Sequence, residues 1–314
     1  MRILFITANR LGDAVLSTGL LDHLIRACPA ARITVVCGPV AAGLFARMPN
    51  LEQVVAMAKQ PGGRHWLPLW RSAVTRRWDL VVDIRGSLMS WLVPTRRRAV
   101  MRGGTGHKTA QLAAILGLNP APLPVAWFSP GDAALASALL PSGRPVIALA
   151  PTANWAPKVW PADRFVALFQ RLAATHWPGA VAAIVAGPGE AEAAMARPVL
   201  EGLPGAIDLI GRLSLPEIAA CLARVELFVG NDSGLMHLAA ASGAPVLGLF
   251  GPTSHEEYAP SGPRARVLKS PDGTMAAITV DMAMAAAAPG ASASNDTIRH
   301  PRRLPESGGY SSPS

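Results

Sequence analysis

The sequence predicts a two-domain α/β protein, each half a parallel sheet covered by helices on both faces. Three observations point there. The chain has 314 residues, about two domains at ~150 residues apiece. Half of those residues are hydrophobic while aromatics make up 5%, a balance suited to helices laid on a Val/Leu-rich sheet rather than to a β-sandwich. Short β-rich runs also alternate with helical periodicity in two separate stretches, which implies parallel strands joined by crossover helices.

The elements follow in order. Ile3 to Thr7 is a short apolar strand, and Asn9-Arg10-Leu11-Gly12-Asp13 a loop. Between Ala14 and Ala27 the residues Val15, Leu16, Leu20, Leu21, Leu24 and Ile25 recur at helical spacing. Ile33–Cys37 and Leu80–Ile84 read as further strands, ended by Gly38-Pro39 and by Gly86. From Gly117 to Gly143 five prolines break the rhythm, predicting an interdomain connection with one short helix near Asp132–Leu140. The alternation then restarts: strand Pro145–Ala150, helix Ala162–Ala174, strand Ala180–Ala186, a helix from Glu190, strand Glu226–Gly230, helix Gly234–Ala241 and a last strand, Pro245–Phe250. The expected division is 1–143 (with 117–143 as linker), 144–284, and a disordered Ala/Ser/Pro/Gly-rich tail over 285–314.

Composition excludes some classes and leaves others open. Cys28, Cys37 and Cys221 fit neither a metal-ligand spacing nor a disulfide framework, so they read as small buried apolar groups in a reducing compartment. The segment Met1–Ile6 is too short for a signal core, and no apolar run reaches the ~18–20 residues of a membrane span, so a cytoplasmic protein is expected. The net charge of +9 and a pI near 10.4 call for anionic partners. Arg71, Arg76, Arg77, Arg96, Arg97, Arg98, Arg102 and Lys108 concentrate that charge in the first half. By itself it fits nucleic acid, lipid headgroups, phosphorylated substrates or a solvated surface.

Four loops carry candidate chemistry. In Gly230-Asn231-Asp232-Ser233-Gly234-Leu235-Met236-His237 a strand ends and a helix opens, so free N–H groups and the positive helix end face outward, with Ser233 and His237 as added polar groups. Asp232 and Ser233 are equally favoured as plain N-caps. The segment Pro151-Thr152-Ala153-Asn154-Trp155-Ala156-Pro157-Lys158 sets one cation on a semi-rigid loop, able to neutralise a departing anion or simply lying beside packed tryptophans. In Arg10-Leu11-Gly12-Asp13 a carboxylate at a helix start is expected to stay ionised, as a general base or a cap. Gly187-Pro188-Gly189-Glu190-Ala191-Glu192 begins like a dinucleotide fingerprint, but Glu192 stands at its third glycine position, so only Glu190 is kept, as a candidate ribose-hydroxyl acceptor.

Taken in order, these loops resemble glycosyltransferase family nine, the heptosyltransferases of lipopolysaccharide core assembly. The resemblance runs from Met1 to about Met284. It rests on Leu11-Gly12-Asp13, the segment Asp79–Ser87, Lys158-Val159-Trp160-Pro161, and Asn231–His237 leading to Phe250-Gly251-Pro252-Thr253. It implies a GT-B fold of two Rossmann-like domains facing a central cleft, and inverting transfer with no metal or other cofactor. Asp13 would then be the base and Lys158 the leaving-group cation. Thr152, Asn154, Glu190, Asp232, Ser233, Gly234 and His237 would bind an ADP-heptose donor. Arg10, Arg96, Arg97 and Arg98 would meet a phosphorylated lipid-linked glycan acceptor at an anionic membrane surface, on the inner face of the inner membrane. Thr152 departs from the family's usual glycine, and the segment after Lys269 lacks a cysteine found in many relatives. Another nucleotide sugar, or a non-catalytic basic protein binding membrane or nucleic acid, are the alternatives; no nucleic-acid motif accompanies the charge.

Overall fold

The structure is a computed structural model that describes residues 1–58 and 66–289. In chain order the first half comprises β1 (Arg2–Ile6), α1 (Leu11–Ala27), β2 (Arg32–Cys37), α2 (Pro39–Ala42), β3 (Leu51–Ala56), α3 (Trp66–Val74), β4 (Trp78–Asp83), β5 (Thr95–Val100) and α4 (Lys108–Ala114). A connecting helix, α5 (Pro130–Leu139), leads to β6 (Val146–Ala150), α6 (Ala162–Thr175), β7 (Val181–Ile184), α7 (Glu190–Glu201), β8 (Ile207–Asp208) and α8 (Leu215–Leu222). The chain continues through β9 (Leu227–Asn231), α9 (Gly234–Ala241), β10 (Val246–Phe250), α10 (His255–Tyr258), β11 (Ala265–Lys269) and α11 (Val280–Ala287).

All strands pair in parallel, in two sheets ordered β3-β2-β1-β4-β5 and β11-β10-β9-β6-β7-β8. Both are doubly wound, so each has a switch point where neighbouring crossovers leave toward opposite faces: β1/β4 in the first and β6/β9 in the second. Ligands of such sheets bind outside the carboxyl ends of the strands at that point.

Strand periodicity builds the layers. Successive side chains of β1 point to opposite faces: Ile3 and Phe5 join one apolar cluster, Leu4 and Ile6 another. In β6 the residues Val146, Ala148 and Ala150 face the same cluster as Ile3, whereas Ile147 and Leu149 face a third. The shared cluster therefore lies between the two sheets, and α1, α8 and α9 fill it. Helices α1 and α9 pack directly on each other. Small residues permit that: a Cβ on Gly234 would lie 2.8 Å from Leu11 Cβ. The connecting segment crosses the same junction. Val125 N–H donates to Thr18 Oγ1 at 2.8 Å and Ala126 N–H to the Ala241 carbonyl at 3.1 Å. A Cβ on Gly19 would meet the Pro122 carbonyl oxygen at 2.5 Å, so this helix face has to be bare.

Several expectations change. Helix α1 begins at Leu11, so Gly12 and Asp13 belong to its first turn rather than to a preceding loop. The connection's helix spans Pro130–Leu139, opened by a capping box between Ser129 and Asp132. A further strand, β11, follows Val246–Phe250, the last clear strand in the sequence. Nor does the tail begin at Ala285: α11 runs to Ala287, whose side chain is buried. Positions 290–314 lie outside the described residues. Cys37 and Cys221 are buried and Cys28 is half-buried, all as free thiols.

Candidate functional site

The switch point of the second sheet holds the first half of the site. Strands β6 and β9 are neighbours, so the loops that leave them lie side by side. Lys158 ends a 3₁₀ turn, Ala156–Lys158, and its Nζ sits 2.6 Å from Asp232 Oδ2. Both side chains are largely buried, at 18% and 8% exposure. The Lys158 loop is fixed from both sides. Trp160 N–H donates to Asn231 Oδ1 at 3.1 Å, and the buried Trp160 indole N–H donates to the Ile278 carbonyl at 2.9 Å. An ion pair so held is preorganised, and Asp232 keeps the ammonium in place until a stronger anion competes for it.

Ser233 occupies the N-cap position of α9, yet its hydroxyl makes no capping bond. Its Oγ, His237 Nδ1 and Thr253 Oγ1 are buried without a hydrogen-bond partner among the described residues. Buried polar atoms are normally satisfied, and those of Ser233 and His237 accompany the free N–H groups of a helix start, where anions are favoured. Burial pushes the His237 pKa down to about 4; Asp232 opposes this and His107 and Lys158 add to it. The ring is therefore neutral near pH 7 and acts as a hydrogen-bonding group.

The second half of the site comes from the first sheet. Thr7 and Ser17 share a 2.8 Å hydrogen bond that pins the end of β1 to α1. Gly12, next to Asp13, faces α9: a Cβ on it would stand 3.0 Å from the His237 ring. Burial raises the Asp13 pKa above the ordinary 3.8; Lys108 and Arg10 oppose the shift, while Glu257 and Asp232 add to it. Loss of hydration outweighs the neighbouring positive charge at Asp13, which makes its carboxylate a stronger base than an ordinary aspartate. Tyr258 feels the same charge, its pKa raised by burial and then by Asp13. His107 joins the halves, its Nε2 lying 2.9 Å from the Ala259 carbonyl.

The geometry thus brings together Asp13, Arg10, Lys158, Asp232, Ser233, Gly234 and His237. Other assignments change. Thr152 is 1% exposed and its hydroxyl donates to Glu192 Oε2 at 2.8 Å, so it supports the loop and its hydroxyl hydrogen does not face a ligand. Asp232 is the partner of Lys158, so it holds the cation, and its carboxylate has no proton to donate to a phosphate oxygen. Asn154 and Glu190 are exposed, the first on the Lys158 loop and the second in the opening turn of α7. Arg96, Arg97 and Arg98 lie in β5, an edge strand, and do not reach Asp13 as a cluster. Arg96 pairs with Asp79, while Arg98 donates to the Ser90 and Val93 carbonyls and stacks over Trp91. In a strand, alternate residues turn to opposite faces, so three consecutive arginines cannot converge on one anion.

Sequence reasoning missed Asn231 and Glu192 as supports. Glu192 accepts both the Thr152 hydroxyl and Gly187 N–H, each at 2.8 Å. Its signal was present, as the residue that breaks the dinucleotide fingerprint.

Fold and site together define a two-sheet transferase with a buried carboxylate on one sheet and, on the other, a paired cation beside an anion-receptive helix start. The profile of glycosyltransferase family 9 (heptosyltransferase) matches residues 112–284, more than half of the chain. Lipooligosaccharide heptosyltransferase 2 of Haemophilus influenzae is 26% identical over 318 residues, covering 88% of this chain and 90% of the relative. Lipopolysaccharide heptosyltransferase 1 of Pseudomonas aeruginosa is 28% identical, covering 81% and 79%. Among solved structures, E. coli ADP-heptose lipopolysaccharide heptosyltransferase II superposes with a TM-score of 0.74 at 23% identity, over 90% of this chain and 96% of that one. The chain belongs to glycosyltransferase family 9, has the GT-B fold and is a transferase enzyme.

Proposed function

We propose that the enzyme transfers heptose from ADP-heptose to a lipopolysaccharide core acceptor, with inversion and without a metal, at the inner face of the inner membrane. The observation that carries this reading is the Lys158–Asp232 pair beside the unpartnered Ser233 and His237 at the first turn of α9. A nucleoside diphosphate suits that set of groups: helix N–H groups and the Ser233 hydroxyl donate to its oxygens, and the Lys158 ammonium meets the charge that grows on the leaving group. Asp13, across the junction, takes the proton of the acceptor hydroxyl as that oxygen attacks the sugar carbon from the face opposite the diphosphate. A single displacement with one base inverts the anomeric centre and needs no second carboxylic acid, because a charge-neutralised diphosphate leaves readily. The relatives' names support heptose as the sugar, and the E. coli structure's title supports ADP-heptose as the donor.

The test is thermal stabilisation by ADP, UDP, GDP and CDP, each with and without magnesium or a chelator, followed by transfer assays from the matching nucleotide sugar. The proposal expects ADP to stabilise with no dependence on magnesium. Stabilisation by UDP or GDP instead would assign another donor, and a magnesium requirement would overturn the metal-free mechanism.

A further inference from the structure

The first half carries an apolar surface that the transfer chemistry does not use. Leu67 and Trp70 on α3, and Leu88, Trp91 and Leu92 in and after the 3₁₀ turn Leu88–Trp91, are each 36% to 71% exposed. They form one patch, because the Trp70 indole N–H donates to the Leu92 carbonyl at 3.1 Å. The remaining exposed large apolar side chains among the described residues, Met1, Val40, Phe128 and Trp155, belong to other segments.

The surroundings of the patch are cationic. From Trp66 to Lys108 the chain carries eight arginines and one lysine against two carboxylates, Asp79 and Asp83. Asp83 is buried and accepts from Arg85 N–H and from Ser87 N–H and hydroxyl. Asp79 accepts from Arg2 N–H and pairs with Arg96. Arg71 and Arg77 are exposed with no such partner among the described residues. Arg98 lies 4.9 Å from the Trp91 ring centre, its guanidinium anchored on two carbonyls, so cation and indole are held together at the surface. Exposed Trp and Leu ringed by arginine is the chemistry of a water–lipid boundary: indoles settle at headgroup depth, aliphatic tips reach the acyl boundary, and guanidinium groups meet lipid phosphates.

Position gives the patch its purpose. The Leu88–Trp91 turn follows β4, beyond the carboxyl end of the sheet and on the same edge as the start of α1, which carries Asp13. Arg85 bridges the two, over the Trp66 ring at 4.9 Å and donating from Nη1 to Asn9 Oδ1 at 3.2 Å. We propose that Leu67, Trp70, Leu88, Trp91 and Leu92, with the arginines around them, dock this enzyme on an anionic lipid bilayer and so present a lipid-anchored acceptor to Asp13. The proposal rests on the reading of a lipid-linked acceptor given above, and it names the surface that meets the lipid.

The full chain is sedimented with phosphatidylcholine vesicles, with and without phosphatidylglycerol. Wild type should partition onto the phosphatidylglycerol vesicles. The Trp91→Ser/Leu92→Ser variant should weaken that partition by roughly tenfold, and Arg71→Glu/Arg77→Glu by a similar factor on the anionic vesicles. Circular dichroism and the ADP thermal shift should match wild type in both variants, which verifies folding. Transfer to a delipidated acceptor should be unchanged while transfer to a vesicle-embedded acceptor falls. Wild type left in the supernatant, or equal partition of wild type and both folded variants, would overturn the proposal. So would a wild-type dimer that the Trp91/Leu92 variant converts to monomer without loss of lipid binding, since the patch would then join two copies. Failure of the ADP shift with lipid binding intact would instead count against the donor assignment.

Discussion

At the scale of single residues, the site separates two jobs that act on opposite ends of one bond. In the proposed mechanism Asp13 is the base, and burial strengthens it. Because its pKa is raised, the carboxylate protonates, and kcat/KM falls, at a pH above the 3.8 of an unperturbed aspartate. The acid limb of the pH–rate profile reports this directly; a limb at or below 3.8 would contradict it. Asp13→Asn should remove transfer while leaving the ADP-induced thermal shift in place. With Lys158 acting on the leaving group, as proposed, Lys158→Ala should lower kcat by about 10²–10³-fold with a smaller change in nucleotide affinity. Weakened ADP binding with kcat intact would mean that Lys158 serves binding alone. These two residues were legible from their loops, since a lone acid and a lone lysine stood at strand-to-helix turns. Their partners were not: that Asp232 holds Lys158, and that Thr152 is tied to Glu192, depends on which loops the sheet order makes neighbours.

At the scale of elements, legibility followed position in the sheet. Central strands such as β1, β6 and β9 are buried on both faces and read as continuous apolar runs. The strands missed were β3, β5, β8 and β11, the edges of the two sheets. Their half-exposed sequences lack that signal, and Thr95–Val100, with three arginines, reads as a charge cluster rather than a strand. The helices carry a separate constraint, the close approach of α1 and α9. Gly234→Ala places a methyl 2.8 Å from Leu11 Cβ, so the helices must part, at about 1–3 kcal/mol by the usual cost of overpacking. Chemical denaturation should show that loss. A neutral substitution would mean that the junction yields freely.

At the scale of the whole molecule, one ion pair ties the connecting helix to the first half. Arg47 donates from Nε to Asp132 Oδ2 at 2.9 Å, and Asp132 also accepts the Ser129 hydroxyl and N–H, each at 2.7 Å. The Arg47 and Ser129 hydrogen bonds hold the Asp132 carboxyl far below its ordinary range. A group whose folded pKa is depressed contributes stability above its unfolded value, about 3.9, and loses that contribution as pH falls toward the folded value. Asp132→Asn should therefore cost about 1–2 kcal/mol at neutral pH. The deficit relative to wild type should shrink once the pH drops below about 4. Denaturation midpoints measured at pH 7 and pH 3 test the sign; a deficit that grew in acid would refute it.

The apolar layer between the sheets has a consequence for how the molecule comes apart. Because α1, α8 and α9 share one cluster drawn from both halves, neither half owns a complete interior. Unfolding one sheet strips cover from the other, so the chain should melt in a single calorimetric transition rather than two. By the same logic, a fragment cut between α5 and β6 leaves α8 without the helix that packs on it, and such a piece should associate rather than stay dispersed.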